Sequence, residues 1–417
     1  MTTQDRFRRR AGIYLIVLGT SMVVMSIGLL GLTAVGVQRK AAAGADDLAQ
    51  ARRSAQSAIE WGLQRISANA NWRATYPNGT WTANQPFAKG SLSLAGVDPT
   101  DGNLANDPLD PLTMTGTGTK GQATYRLRVA LTAETRALTS LDVPLHAGGN
   151  IAFSSAMVSA DGPISSNGSI GAATGSQVNA DVEAVGKVTG GNYLSSTTSP
   201  ITPREMPDPA GVFDYYINNG TVIPFTSLPR KLVTFERVLS SVVLSPTLNT
   251  FGAVNAQGIY VINCAGADLF VANSQIIGTL LVLDPGPNSK ISGNMNFQVG
   301  LSGLPSLLVR GNICTDMSTA PDVTKLIGQL TGTTGLVTIN PVGQPLRMDG
   351  LFYVSGNLTP TGGTLPIIGA LVVGGAFTWS GTLSLTYDSQ FRDNPPPGWL
   401  APPDMVVTDG SWTPVVN

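Results

Sequence analysis

Acidic residues gather in one short segment of the chain, which is the first place where the sequence could bind a ligand. The segment from Asp98 to Asp110 carries four carboxylates interleaved with Pro, Gly and Asn, and Asp98, Asp101 and Asp107 are its candidate metal ligands. Calcium takes six to eight oxygen ligands from loops of this kind. The acids lack the alternate spacing and terminal Glu of an EF-hand, so a solvated Asp/Pro/Gly turn is the favoured interpretation. Calcium is the only cofactor that the sequence puts forward.

The chain has two cysteines, Cys264 and Cys314, and neither lies in a Cys-x-x-Cys motif or at a ligand spacing from histidine. Zinc binding is therefore not expected. In an oxidising compartment a disulfide between them would stabilise the fold by roughly 3–4 kcal/mol in the chain-entropy interpretation. Two buried thiols in adjacent strands are the alternative, and the sequence leaves both open.

The residues needed for nucleophilic catalysis are missing from the sequence. His146 is the sole histidine, and no nucleophile elbow or cysteine stands near it, which predicts a surface or capping residue. No phosphate-binding loop, dinucleotide fingerprint or metalloprotease helix occurs. Some β-helix proteins cleave polysaccharides with paired carboxylates, and the acids available for that role stand singly, at Asp284, Asp316, Asp349 and Asp388. The sequence predicts a protein that is not an enzyme, with a glycan-cleaving β-helix as the alternative.

Charge is scarce along the whole chain. Charged residues make up 12% of the 417 residues, where about a quarter is usual in globular proteins. The 25 basic and 26 acidic side chains give a net charge of -1. Nucleic-acid binding needs clustered Lys and Arg, so we do not expect it.

The N-terminus predicts a membrane anchor. A basic segment, residues 1–11, precedes an uncharged stretch, Gly12–Val37, which exceeds the about 20 apolar residues needed to cross a bilayer. Four arginines before the stretch favour a cytoplasmic N-terminus and a periplasmic or extracellular ectodomain. The apolar stretch is too long for a signal-peptide core of about 7–15 residues. We therefore expect a retained single-pass anchor that contacts the lipid bilayer through Gly12–Val37.

Beyond the membrane, residues 38–68 continue the helix as a stalk, because small and apolar residues recur there at spacings of three and four. The segments Arg10–Val17 and Ala55–Gly62 resemble type IV pilin-like proteins, and in particular the PilX-type N-terminal region of minor pilus assembly subunits. If Gly12 corresponds to the glycine at the pilin cleavage site, Val17 stands where pilins carry a glutamate. The resemblance covers residues 1–70 and implies an inner-membrane protein whose helix packs with pilin or pseudopilin subunits.

The remaining chain is predicted to be mainly β. Alternating residues from Ala123 to Leu131 indicate a strand, with Leu138–Leu145 as its expected neighbour. The predicted regions are listed in order: an α+β pilin-like region at 69–145, a first solenoid section at 146–201, an excursion at 202–255, a second solenoid section at 256–391 and a Pro-rich capping tail at 392–417.

Short β-branched segments separated by Gly, Asn and Ser favour a β-solenoid, in which each coil buries its apolar side chains by stacking on the next coil. Many of these segments end in Gly-Asn or Gly-Gly, which predicts turns that need positive φ. A β-sandwich is the alternative fold. The pattern as a whole predicts a non-catalytic, membrane-anchored accessory or envelope protein whose β-solenoid surface serves adhesion or scaffolding.

Overall fold

The structure is a computed structural model that describes residues 3–69, 71–231, 234–317, 330–331 and 346–415. The helices are α1 (Thr3–Ser67), α2 (Trp72–Thr75), α3 (Pro209–Asn219) and α4 (Gln390–Asp393), with 3-10 turns at Thr139–Asp142 and Phe225–Ser227. The first strands are β1 (Gly79–Phe87), β2 (Gly90–Val97), β3 (Leu112–Lys120), β4 (Ala123–Glu134), β5 (Leu145–Ala147), β6 (Ile151–Ala160), β7 (Ile164–Ser166), β8 (Ile170–Asn179), β9 (Val182–Ala184), β10 (Val188–Tyr193), β11 (Thr197–Thr198), β12 (Thr221–Val222), β13 (Arg230–Lys231), β14 (Arg237–Ser240) and β15 (Val243–Leu244). The later strands are β16 (Ile259–Asn263), β17 (Leu269–Ala272), β18 (Gln275–Ile277), β19 (Thr279–Leu283), β20 (Lys290–Ser292), β21 (Asn296–Gln298), β22 (Leu307–Arg310), β23 (Ile313–Met317), β24 (Leu330–Thr331), β25 (Arg347–Val354), β26 (Leu358–Val373), β27 (Phe377–Tyr387), β28 (Asp404–Val407) and β29 (Thr413–Pro414).

The fold is mainly β, with one long apolar helix at the N-terminus. The chain divides into two compact units, the first formed by Met1–Thr135 with Pro402–Asn417 and the second by Arg136–Ala401. In the first unit Glu134 pairs with Asp404, and in the second Ala137 bridges Leu400, both antiparallel. The two ends of the second unit therefore run side by side, which allows it to be inserted between β4 and β28 without separating those strands.

The first unit packs the C-terminal half of α1 on an antiparallel sheet of order β1-β2-β3-β4-β28, with β29 also paired to β4. Burial alternates along β2 and β3, where Leu92, Leu94 and Met114 face the core. This is the period-two pattern of a sheet with one covered face. Ile59 of α1 lies in the same core cluster.

The second unit is built mostly from parallel pairs. We call a coil the stretch of chain between one strand and the next strand that pairs with it in parallel. One ladder runs through eight strands in the order β16-β19-β22-β25-β26-β5-β7-β9. Its inward residues stack in register within one core cluster: Tyr260, Leu280, Leu307, Phe352, Leu371, Leu145, Ile164 and Val182.

The order of strands in this ladder differs from their order in the chain. The chain enters at β5, adds β7 and β9 in one direction, and then passes to the opposite end, where β12 pairs with β16. It coils back until β26 and β27 pair with β5 and β6. The last coil therefore lies against the first, whereas the sequence predicted two sections in simple succession. Parts of the predicted second section, 318–329 and 332–345, lie outside the described residues.

Helix α3 covers the outer face of part of the ladder. Asp208 caps its N-terminus by accepting a hydrogen bond from the Ala210 amide at 3.1 Å, and Pro209 occupies the first turn. Val212, Phe213 and Tyr216 share a buried cluster with the outward side chains of β16, β19, β22, β25 and β26. The segment predicted as an excursion therefore contributes a helix that covers the ladder.

Two predicted segments fold differently from the expectation. The segment Leu138–Leu145 forms a 3-10 turn and then enters the parallel ladder, so it does not pair with β4. The tail 392–417 was expected to cap the last coil, but it is divided: Trp399 packs on Tyr353 of β25 in the second unit, and β28 pairs with β4 in the first unit. That coil is already covered by β5 and β6, whereas β4 without β28 would expose an unpaired edge.

The predicted positive φ is observed at some corners, such as Gly293 (70°) and Gly311 (128°), whereas other corner glycines have a different physical reason. Gly356 and Gly375 do not adopt positive φ, but a Cβ at either position would lie 2.3 Å from an asparagine Oδ1 of the neighbouring coil. The same oxygens accept backbone hydrogen bonds between coils, from the Asn357 amide to Asn312 at 2.7 Å and from the Ala376 amide to Asn357 at 2.8 Å. Glycine is required here because the coils approach closely, while asparagine links them.

Candidate functional site

The N-terminal half of α1 presents an apolar surface. Every side chain from Tyr14 to Val37 is exposed, and no part of the most apolar 18-residue window is buried within the described residues. A helix of this length and composition can cross a bilayer. Val17 lies on this surface at 54% exposure and supplies no charge to it.

The polar side chains of this segment satisfy their hydrogen bonds within the helix itself. Ser21 donates to the Val17 carbonyl at 2.7 Å and Ser26 donates to the Met22 carbonyl at 2.8 Å. Thr20 and Thr33 make the same kind of bond. Unsatisfied polar groups are costly in hydrocarbon, and back-bonded hydroxyls of this kind remove most of that cost.

The C-terminal half of α1 packs closely on β3. Ala51 and Ala55 are fully buried, and they face Gly116 and Gly118. A Cβ at Gly118 would lie 2.0 Å from the Ala51 carbonyl oxygen, and one at Gly116 would lie 2.2 Å from that of Ala55. Small residues on both elements let the backbones approach, so the small and apolar residues that recur along the stalk pack on this sheet.

The acidic segment connects β2 to β3. Ligand oxygens of Asp98, Asp101 and Asp110 all lie within 4.8 Å of one another. Asp98 is 2% exposed, and its Oδ1 accepts the Thr100 amide at 2.7 Å, whereas its Oδ2 has no hydrogen-bond partner among the described residues. The buried Oδ2 of Asp110 also has no partner there. The segment therefore brings together three carboxylates and two unbonded buried oxygens.

This grouping differs from the predicted set Asp98, Asp101 and Asp107. Asp107 is exposed, and its Oδ1 accepts the Leu109 amide at 2.8 Å, which makes it a turn residue. Asp98 follows the last residue of β2 and Asp110 precedes the start of β3. Because β2 and β3 are antiparallel neighbours in register, their adjoining ends carry these two acids together. A hairpin interpretation of the sequence would have selected Asp110.

Electrostatics within the cluster follow from its geometry. Burial and the neighbouring carboxylates Asp98, Asp107 and Asp101 raise the pKa of Asp110, and Arg73 partly offsets this. The hydrogen bond from the Thr100 amide holds the pKa of Asp98 below its ordinary value. The guanidinium of Arg73 donates to the Asp110 backbone carbonyl, an interaction that no sequence pattern indicated.

Both cysteines carry thiols in the structure. Cys264 follows β16, and burial raises its pKa to about 12, with a contribution from Asp284. Cys314 lies in β23, two coils further along, since β19 and β20 intervene. Two strand spacings of about 4.8 Å each, before any sideways offset between their two ladders, already exceed the about 7 Å that a disulfide spans between Cα atoms. The geometry thus argues against the predicted disulfide and also against thiols in adjacent strands.

His146 is fully buried in β5, although the sequence predicted a surface or capping position. It pairs with Val372 on one side and Ser165 on the other, and its side chain faces outward from the core. Burial, together with the nearby positive charge of Arg204, lowers its pKa to about 4. Arg204 forms an ion pair with Glu183 at 2.9 Å and a hydrogen bond to the Ser165 hydroxyl at 3.1 Å.

The acids that the sequence offered for glycan cleavage have structural partners. Asp284 forms an ion pair with Arg310 at 2.7 Å, and Asp349 forms one with Arg347. Asp388 accepts the Gln390 amide at 2.9 Å, and Asp316 pairs with Ser292 in the β20–β23 ladder.

The chain matches no described protein family. It also matches no curated protein sequence. Among solved structures it is similar to the competence-associated pilin ComZ from Thermus thermophilus, at 12% identity, with 88% of this chain and 97% of ComZ covered and a TM-score of 0.32. At that TM-score the likeness carries no inference about fold or function.

Proposed function

We propose that this chain is a non-catalytic, pilin-like accessory protein of the bacterial inner membrane, with its N-terminus in the cytoplasm and the chain after Val37 on the other side of the membrane. The observation that carries the proposal is the division of α1. One continuous helix is exposed and apolar from Tyr14 to Val37, and it is packed on an antiparallel sheet through Ala51, Ala55 and Ile59. A helix that is half anchor and half sheet support is what the pilin-like resemblance of residues 1–70 implies.

The second unit is proposed to be a β-solenoid whose surface serves adhesion or scaffolding. Its parallel ladders and stacked inward rows favour this interpretation over a β-sandwich, in which antiparallel pairs are expected. Pilin or pseudopilin subunits are the proposed partners of the apolar half of α1. Since Val17 carries no charge, the contacts between α1 and these subunits would be apolar.

Anchoring is tested by separating membranes from soluble protein in cells that produce the full chain. Wild-type protein should be retained in the membrane fraction after a carbonate wash. Leu29→Arg combined with Leu30→Arg should release it, because each charge at the helix centre costs about 3 kcal/mol. Leu194→Arg, at a 57% exposed position of the second unit, is the matched control and should stay bound. Release of wild-type protein would contradict an anchor.

Filament partnership is tested by placing a photocrosslinking amino acid at Leu18 in pilus-producing cells, with the same residue at Leu194 as the control. Crosslinks to pilin subunits from Leu18 and not from Leu194 are expected. Their complete absence would leave a single-pass envelope protein that does not enter filaments.

The glycan-cleaving alternative is tested separately on the full chain in detergent, where turnover abolished by Asp349→Asn would overturn the non-catalytic assignment.

A further inference from the structure

We propose that Asp98, Asp101 and Asp110 form a calcium site that clamps the connection between β2 and β3. The site goes beyond the proposed function, since neither membrane anchoring nor filament contact requires it. Three observations carry it: the spacing of the three carboxylates, the burial of Asp98, and the two buried carboxylate oxygens in the cluster that lack a partner in hydrogen-bonding geometry among the described residues.

The spacing fits one ion. Calcium binds oxygens at about 2.3–2.6 Å, so ligands on opposite sides of the ion stand about 4.6–5.2 Å apart. The three ligand oxygens lie within 4.8 Å of one another and can all reach a common centre. Carboxylate oxygens without nitrogen or sulfur ligands favour hard cations such as calcium over zinc or copper.

The buried oxygen of Asp98 is the second, independent observation. A carboxylate that is 2% exposed should have every oxygen hydrogen-bonded, because leaving a buried polar atom unsatisfied is costly. Oδ1 of Asp98 accepts the Thr100 amide, whereas the buried Oδ2 atoms of Asp98 and Asp110 have no partner in hydrogen-bonding geometry among the described residues. A bound cation would satisfy both of those oxygens.

The negative charge of the three carboxylates also favours a bound cation. Asp98, Asp101 and Asp110 repel one another, and the nearest basic group, Arg73, donates to the backbone carbonyls of Leu104 and Asp110. Asp101 is held by Asn106, whose side-chain amide donates to its Oδ2 at 2.5 Å. A divalent ion would offset most of the remaining negative charge and tie the end of β2 to the start of β3. Backbone carbonyls and water would complete the six to eight ligands.

The test is isothermal titration of the full-length protein in detergent with CaCl₂ at pH 7, after treatment with a chelator. We expect one site with a Kd of about 0.1–1 mM, the range of extracytoplasmic calcium modules. Asp98→Asn and Asp110→Asn should each weaken binding at least about tenfold. Asp107→Asn removes the same charge from the same segment outside the cluster and should change the Kd by no more than about twofold.

Thermal unfolding in chelator separates loss of binding from loss of folding. Asp98→Asn keeps the acceptor for the Thr100 amide, and both cluster variants remove repulsion, so neither should unfold below the wild-type temperature. Calcium should then raise the unfolding temperature of wild type and of Asp107→Asn alone. The calcium assignment would be overturned by any of three results. They are no heat of binding up to about 10 mM calcium, a loss of calcium affinity in Asp107→Asn equal to that in the cluster variants, and equal binding of magnesium. If the unfolding temperature changed with pH and not with calcium, the carboxylates would share a proton, and the calcium assignment would be wrong.

Discussion

Two parts of one row of side chains in the second unit differ sharply in chemistry. The row faces outward across the eight paired strands and reads Val261, Leu281, Leu308, Tyr353, Val372, His146, Ser165 and Glu183. The first five members are buried under α3 and Trp399, whereas the last three lie beside Arg204. Backbone pairing is the same throughout. The parallel ladder is therefore compatible with an apolar or a polar outer face. The outward residues are apolar where another element covers the strand.

The largest effect is expected from a charge in the apolar part of the row. Leu281→Asp should destabilise the second unit by about 5 kcal/mol or more, because it buries an unpaired carboxylate and removes a fully buried leucine. The measurement is urea unfolding followed by tryptophan fluorescence. Ala152→Asp, at an exposed position of β6, is the control and should change stability by no more than about 0.5 kcal/mol. Equal losses of stability in the two variants would show that coverage by α3 does not determine which residues the outer face of the ladder tolerates.

Removing a side chain of α3 that covers the ladder should cause the next largest loss of stability. Phe213 is buried and stacks on Tyr353 with ring centroids 5.7 Å apart. Phe213→Ala should cost about 4 kcal/mol, since it opens a cavity between α3 and the ladder. Asp214→Ala, on the exposed side of the same helix, should be nearly neutral. A small loss for Phe213→Ala would indicate that α3 is only loosely attached.

His146 marks the change from apolar to polar, and its burial makes the stability of the second unit depend on pH. Its pKa is about 4 in the folded chain and about 6.5 when unfolded, so the unfolded state binds more protons between these values. Stability should be full above pH 6.5 and fall by about 3 kcal/mol as the pH drops to 4. His146→Gln should remove this part of the slope, measured as the difference between the two proteins at each pH. Parallel pH profiles would contradict a buried neutral histidine.

The close contact at the coil corners predicts a smaller loss. Gly375→Ala places a Cβ against Asn357 Oδ1 and the Gly356 backbone, and we expect a cost of about 2 kcal/mol. Gly171→Ala is the same substitution in β8, where the nearest atom is Thr189 Oγ1 at an ordinary 3.5 Å, and it should be tolerated. If both cost the same, the corner glycines would not be needed for the approach of the coils.

The smallest effect concerns the ion pair between Asp284 and Arg310, whose side chains are 50% and 39% exposed. Asp284→Asn should cost about 0.5 kcal/mol or less and the difference should shrink in high salt. Chemical denaturation at two salt concentrations measures it. A cost of several kcal/mol would assign this acid a role beyond a surface pair.

The sequence predicted well wherever a pattern is local. The apolar length of α1 and the alternation of β4 are set by neighbouring residues, and both are observed. It failed where partners come from distant parts of the chain. Asp110 was passed over for Asp107, and His146 was placed at a surface, because the burial of both depends on strands that meet only in the fold.

By itself the sequence determined the long apolar helix, the mainly β character of the rest and the Gly-Asn spacing of the corners, since these arise from periodicity and from the size of single residues. Only the tertiary structure decided that the last coil lies against the first and that β28 returns to β4. The tertiary structure also decided which carboxylates share one space. The reason is that strand pairing joins residues far apart in the chain, and no local pattern records which edge a strand will meet.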